Sequence, residues 1–434
     1  MENKVMDNFK NILLHEMIPA LGCTEPIAIA LCSAKARAVL AEMPESAVVL
    51  CSGNIVKNVS GVIVPNSGGL KGIDIAASLG IFGGNEENGL QVLEGITEEK
   101  IAKAKQFVDN GHIQVKLVGA EENLYIRVIL KKGSQSSEAE IKYDHTNFTE
   151  IMKNGVVFDK KSLYNHVAPI DKAALSIKKI LEYATIINFE ENQDLKLILE
   201  AQIEFNSKIS QEGLTRDYGA SIGRTLMKIG DINNPATRSK AYSAAGSDAR
   251  MGGCSLPVVI NSGSGNQGLT VSLPVIEYAK FYQVSHDKLL RALIVSNLTA
   301  IHQKKYIGKL SAFCGVVSAS AAAGAGIGYL NDLSYDEISQ IITNTITSIG
   351  GMVCDGAKPS CASKIAIALD NMIMSLELVK NNKGFKPGEG IVGIDVEKTI
   401  RNIGLMAHEG MKSTDEVILG IMLENQNKTQ SSLK

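Results

Sequence analysis

Residues 112–144 read HIQVKLVGAEENLYIRVILKKGSQSSEAEIKYD, and this stretch decides the fold class. Within it HIQVKLV (112–118), LYIRVILKK (124–132) and EAEIKYD (138–144) alternate apolar and polar positions. A two-residue period of that kind is the mark of half-buried antiparallel strands. Upstream, SAVVLCSG (46–53) and GVIVPNSGG (61–69) read as further strands bounded by Gly and Asn. Residues 97–110 read as a helix, with Thr97 as N-cap, Glu98 and Glu99 in the first turn and Gly111 just past the end. Residues 46–150 are therefore predicted to form a small α+β module. The polar, irregular stretch 145–165 reads as a linker.

On either side the period changes to that of helices. Val5, Phe9, Ile12 and Leu13 recur at helical spacing until Pro19 breaks the pattern. LGCTEPIAIALCSAKARAVL (21–40) follows, with Thr24 placed to cap a helix and Pro26 in its first turn. Cys23 is thus predicted at or just before a helix N-terminus, where the dipole is expected to lower a thiol pKa. Residues 1–45 read as a helical segment bringing this CTEP motif to a site. Beyond Pro169, Ala173, Ala174, Ile177, Ile180, Leu181 and Ala184 form one apolar stripe. Similar stripes recur through 195–209, 287–300, 335–348, 363–379 and 395–407. The predicted class is α+β: a small mixed α/β module plus a large all-helical domain over 165–434. The tail ENQNKTQSSLK (424–434) is expected to lack structure.

Composition narrows the function classes. The 434 residues carry a formal charge of −2, so nothing advertises nucleic acid or an anionic membrane as partner. Seven cysteines with no CxxC pair point to reduced thiols and a cytoplasmic location rather than to a disulfide framework. MENKVMDNFKN lacks the apolar core of a signal peptide. The run between Lys309 and Asp332 is dominated by Gly, Ala and Ser, which predicts a buried helix rather than a membrane span. A small-molecule substrate is the expected partner, and a homo-oligomer is compatible with the sequence.

Cys314, Cys354 and Cys361 lie in stretches made largely of Gly, Ala, Ser and Pro. Three thiolates on separate segments can hold an iron–sulfur cluster and leave one iron without a protein ligand. Taken singly, each also fits a buried small hydrophobe, as Cys32 and Cys51 do. Cys254 fits either reading. Gly and Pro in CDGAKPSC (354–361) let backbone approach a bulky group, and Lys358 is placed to offset its charge. GSGNQG (263–268) matches the GxGxxG dinucleotide pattern, but Pro274 is expected to interrupt the helix that should follow. A backbone nest for a carboxylate, helped by Asn261, Ser262, Asn266 and Gln267, is the better chemical reading, beside that of a plain turn. SGNIVKNVSGVIVPNSGG (52–69), around Lys57, reads as a substrate loop or as a strand–turn–strand scaffold. His15, His112, His145, His166, His286, His302 and His408 are scattered and form no metal motif; most read as surface or structural residues.

Five motifs in order, LGCTEP (21–26), SGNIVKN (52–58), NSGSGNQG (261–268), CGVVSASAAAGAG (314–326) and VCDGAKPSC (353–361), resemble the L-cysteine desulfidases, relatives of the iron–sulfur L-serine dehydratases. The resemblance covers nearly the whole chain. It implies an oxygen-sensitive 4Fe–4S cluster held by Cys314, Cys354 and Cys361, with no pyridoxal phosphate, and Cys23 as the base. Cys254 matches no family ligand. Serine dehydratases carry a longer gap between their last two ligands and a Ser-Ser-His motif, and this chain has neither. Those departures favour the desulfidase branch.

The expected chemistry is β-elimination. An open iron acts as Lewis acid on the leaving thiolate, and Cys23 removes the Cα proton. Aminoacrylate then yields pyruvate and ammonia, with sulfide released. Thr24, Asn261, Ser262, Ser264, Gly265 and Asn266 are the expected substrate-binding residues. The alternatives are the same lyase chemistry on L-serine or another small β-substituted amino acid, a non-catalytic cluster or amino-acid sensor, and, least supported, a nicotinamide enzyme.

Overall fold

The computed structural model describes residues 1–119, 122–158 and 170–432, the last seven by their backbone alone. Helix α1 (Asn3–Glu16), strand β1 (Pro19–Leu21) and helix α2 (Thr24–Leu40) precede strand β2 (Ser46–Cys51). Helices α3 (Gly53–Val59), α4 (Ile73–Gly83) and α5 (Glu98–Asp109) follow. Then come β3 (Ile113–Leu117), β4 (Tyr125–Lys132), β5 (Gln135–Lys142), β6 (Phe148–Lys153) and β7 (Val156–Val157). The alternating stretch builds a six-stranded sheet of order β3-β2-β4-β5-β6-β7, parallel only between β2 and β3. Its period of two sorts the faces. Ile126, Val128 and Leu130 of β4 are fully buried, and α2 packs on β4 and β5. Arg127, between them in sequence, points the other way and pairs with Glu138, Glu140 and Glu150 of the neighbouring strands.

The chain departs from expectation in several places. Residues 53–59 are helix α3, because Ile55, Val56 and Val59 share one buried helical face rather than alternating. Residues 61–69 contribute only one isolated bridge, Ile63 with Lys71. Part of the expected linker is sheet: β6 and β7 form a hairpin whose Asn154 and Gly155 have φ of 53° and 76°. Asn-Gly is the dipeptide that such a two-residue turn favours. The rest of the linker and His166 lie in residues 159–169, outside the described residues.

Downstream lie α6 (Ile177–Ile186), α7 (Gln193–Thr215), α8 (Ile222–Ile229), α9 (Pro235–Met251), strand β8 (Pro257–Val259), α10 (Gly265–Tyr282) and α11 (His286–Ile307). They are followed by α12 (Gly315–Leu330), α13 (Tyr335–Ile349), α14 (Ser360–Lys380), α15 (Val396–Leu405) and α16 (Lys412–Ser432). The helical backbone thus runs into the tail expected to lack structure. Extending an existing helix costs little, and Glu, Gln and Lys are good helix formers. Helix α10 also continues through Pro274. It is buried from Gly265 to Ala279, so its neighbours hold it where local propensity would break it.

Helix α12 is the buried run that its small residues predict, packed by α10, α11, α13 and α14. At Gly326 a Cβ would lie 2.9 Å from the carbonyl oxygen of Ala292 on α11, so a larger residue would force the two helices apart. Among the described residues no helix is long and apolar enough to cross a membrane. A short antiparallel pair, Pro19–Leu21 with Pro257–Val259, ties the N-terminal segment to the helical domain. That pairing delivers Gly22 and Cys23 to the functional cavity.

Candidate active site

Cys314, Cys354 and Cys361 line one cavity. Cys314 is the N-cap residue of α12, and Cys361 stands in the first turn of α14. The loop bearing Cys354 is strapped to the chain before α12: Phe313 bridges Val353, and the Cys314 N–H donates to the Met352 carbonyl at 3.0 Å. All seven cysteines are free. Among the described residues no three His, Cys, Asp or Glu side chains could share a single metal ion. That spacing is no obstacle to a 4Fe–4S cluster, in which each thiolate binds its own iron. The donor set fits: three thiols from separate segments converge, with Lys304 and Lys364 on the same wall to balance their charge as thiolates. Burial pushes the Cys314 thiol up to about 12, with the charge of Cys354 adding to it. Burial likewise pulls Lys304 down to about 8, against the opposing effect of Cys354 and Cys314.

Lys358 lies within electrostatic reach of Cys23, Cys361 and Cys354, in keeping with the charge-balancing place expected of it, but its head group is held by backbone. Its Nζ donates to the carbonyls of Lys57 (3.2 Å) and Ser60 (2.8 Å) at the C-terminal end of α3. Lys57 is buried, pairs with Asp415 of α16 and reaches the Cys354 carbonyl at 3.4 Å. It braces the Cys354 loop, and the residue of SGNIVKN that reaches the cavity is Asn58. Cys254 is buried away from the cavity.

The opposite wall begins at α2. Cys23 is its N-cap residue, one position before the expected cap at Thr24. The thiol donates to Oε2 of Glu25 at 2.9 Å. Glu25 also accepts from Asn58 Nδ2 at 2.8 Å and lies 3.8 Å from Nε2 of His145. The helix N-terminus does not lower the Cys23 pKa as expected. Burial, then the charge and hydrogen bond of Glu25, raise it well above the ordinary thiol range, and Arg250 opposes them only in part. Burial alone would raise Glu25 too, but His145 and the Cys23 hydrogen bond outweigh it and hold the carboxyl at about 2.

The loop 261–268 supplies the third side. Ser262 (φ 51°) and Gly263 (φ 79°) make a tight turn closed by reciprocal backbone bonds between Asn261 and Ser264. Asn261 is spent on Asn297 at 2.9 Å, and the Ser262 hydroxyl on Asn261. Ser264, Asn266 and Gln267 line the cavity, together with Thr24, whereas Asn261, Ser262 and Gly265 do not. Gly265 instead leaves room for Arg250, whose guanidinium a Cβ there would overlap. β8 pairs only with antiparallel β1, so the parallel βαβ context of a dinucleotide site is absent among the described residues.

Arg250, Glu25, Lys304 and Lys364 are cavity residues that the sequence reading missed. Arg250 is buried at the end of α9, donates to Asn266 Oδ1 at 2.5 Å and to the Gly22 carbonyl, and leaves Nε without a partner among the described residues. Nothing in its local sequence signals this, since its partners lie far along the chain. Glu25 stood inside the CTEP motif and was legible there as a carboxylate next to a thiol.

Thiols, a carboxylate and an arginine converge on one cavity, and the family that the chain matches is that of a lyase-type enzyme. The chain belongs to the serine dehydratase alpha chain family, which it matches over residues 87–420. It is 50% identical over 415 residues to a UPF0597 protein of Lachnoclostridium phytofermentans, covering 95% of this chain and 98% of that one. A UPF0597 protein of Finegoldia magna is 48% identical over 421 residues (96% and 100%), and one of Treponema denticola 43% over 426 (96% and 98%).

Proposed function

We propose that the protein is an L-cysteine desulfidase, eliminating sulfide from L-cysteine to give pyruvate and ammonia in the cytoplasm. The observation that carries this reading is the meeting, across one cavity, of a thiol–carboxylate pair (Cys23 and Glu25) with three further thiols. Cys314, Cys354 and Cys361 would hold a 4Fe–4S cluster, which when bound supplies Lewis acidity toward the leaving sulfur. Arg250, with Asn266 and Ser264 beside it, offers the substrate carboxylate a cation that forms no salt bridge among the described residues. Cys23 takes the Cα proton while its own passes to Glu25, the acceptor it already bonds. The Cα–H electron pair forms the Cα=Cβ bond as the Cβ–S bond breaks. The aminoacrylate then leaves, tautomerises and is hydrolysed. A thiolate leaves without a strong acid, which suits a cavity whose carboxyl is held ionised. Seven unpaired cysteines are in keeping with a reducing compartment.

Anaerobic assays of reconstituted enzyme with L-cysteine and L-serine test the reading. Sulfide, pyruvate and ammonia in equal amounts from cysteine are expected. Ammonia from serine at higher kcat/KM, with little sulfide from cysteine, would transfer the assignment to a serine dehydratase. Cysteine bound without turnover by fully loaded protein would instead make it a sensor.

A further inference from the structure

The α+β module reaches this site through one buried imidazole. His145 stands in the turn between β5 and β6, is 2% exposed, and has no hydrogen-bond partner for either ring nitrogen among the described residues. Buried polar atoms are rarely left so. Each nitrogen faces a carboxylate: Nε2 is 3.8 Å from Glu25 Oε1 on α2, and Nδ1 is 4.0 Å from Asp144 Oδ1 on its own turn. Behind Asp144 stand Lys309, paired with its Oδ2, and His15 of α1, whose Nε2 is 3.3 Å from the same oxygen. From the helical domain Gly263 closes over the ring, where a Cβ would lie 2.9 Å from Cε1. Burial alone would raise Asp144, but the His15 bond and the Lys309 charge outweigh it and keep the carboxylate ionised. The ring thus has a carboxylate facing each nitrogen, the arrangement by which a hydrolase triad orients its imidazole for proton transfer. Gaps about 1 Å beyond a hydrogen bond are ordinary before substrate binds.

We propose that His145 is the positioning residue that receives, through Glu25, the proton Cys23 removes from substrate, with Asp144 steadying the imidazolium. The proton moves from Glu25 Oε1 to Nε2, restoring the carboxylate for the next transfer from Cys23, and leaves the ring to water or product as the cavity opens. The inference rests on the lyase reading above.

The test uses reconstituted holoenzyme. In His145→Gln, kcat for L-cysteine is expected to fall about tenfold or more with KM not raised, and the primary isotope effect of 2-deuterated L-cysteine on kcat to fall toward unity, because handing the proton on after C–H cleavage becomes the slow step. An unchanged kcat, or a loss with the isotope effect unmoved, overturns the proposal. Asp144→Asn, at the more exposed end, should lower kcat about threefold with KM held, and decides the matter should His145→Gln not fold. No fall in it overturns the proposal. In cluster-free protein, the ring ¹⁵N signal lost in His145→Gln should move in Glu25→Gln; a stationary signal counts against the contact. Wild-type enzyme inactive on both amino acids would defeat the lyase reading, whereas active wild type with an indifferent His145→Gln defeats this inference alone.

Discussion

The two walls of the cavity treat their thiols in opposite ways. On the helical wall Cys314, Cys354 and Cys361 have Lys304 and Lys364 beside them, and the nearby carboxylate Asp355 is already paired with Lys364. On the α2 wall Cys23 donates directly to Glu25. A thiol among cations, with no carboxylate to take its proton among the described residues (Cys361 donates only to the Gly356 carbonyl, at 3.6 Å), is arranged to become a thiolate once a metal replaces that proton. A thiol resting on a carboxylate is arranged to pass a proton on. On the proposed reading the same side chain would serve as ligand on one wall and as base on the other, with its neighbours setting the difference.

The largest effect should come from the helical wall. Cys314→Ala, Cys354→Ala and Cys361→Ala are each expected to lose cluster iron and with it all turnover, measured as iron and acid-labile sulfide on anaerobically reconstituted protein. Full iron in any one of them removes that residue from the ligand set. Next comes the other wall, where Cys23→Ala should keep its iron and lose about 10²–10⁴ in kcat, the range of a missing general base. A fall in iron content there would erase the distinction between the walls. Arg250→Lys bears on the third side: losing the guanidinium fork should raise KM for L-cysteine roughly 10–100-fold with iron retained. An unmoved KM would take the carboxylate elsewhere.

Glu25 sharpens the comparison through pH. Its folded-state pKa of about 2 lies below the ordinary 4.5, so its contribution to stability is complete above 4.5 and is lost as pH falls toward 2. In cluster-free protein, the urea-midpoint advantage of wild type over Glu25→Gln should therefore shrink between about pH 5 and about pH 3. A constant difference would mean that His145 does not hold the carboxylate ionised.

What could be read from sequence was local. The strands of 124–144 and the helix after Thr97 announce themselves because burial on one face imposes a period, and Thr97 does accept the Lys100 N–H. The buried character of α12 follows from its small residues in the same way. Helix α3 was missed because seven residues give too few turns for its period to stand out against an alternating run. The β6–β7 hairpin was overlooked although Asn154-Gly155 marks it. The three cavity cysteines were legible from composition, but their meeting with Arg250 and His145 was not. Arg250 reaches Gly22 from α9, and His145 reaches Glu25 from a turn of the sheet. Such contacts arise where the N-terminal segment docks against the helices and the sheet, and no window of sequence holds both partners.

Cys32 and Cys51 supply the smallest effect and the control for all the others. Cys32 lies on α2, the helix that presents Cys23, yet it faces the sheet, donating to the Ala139 carbonyl at 3.2 Å, and Cys51 ends β2 beneath the same layer. Burial pushes both thiols far up, and no cation or carboxylate bonds to either. Cys32→Ala and Cys51→Ala should each cost about 1 kcal/mol in urea unfolding, the size of a small cavity or one lost weak hydrogen bond. Iron content should be unchanged and kcat/KM within about twofold. If either lost iron, burial alone would be enough to recruit a thiol to the cluster, and the lysines on the helical wall would no longer explain why three cysteines in seven are the ligands.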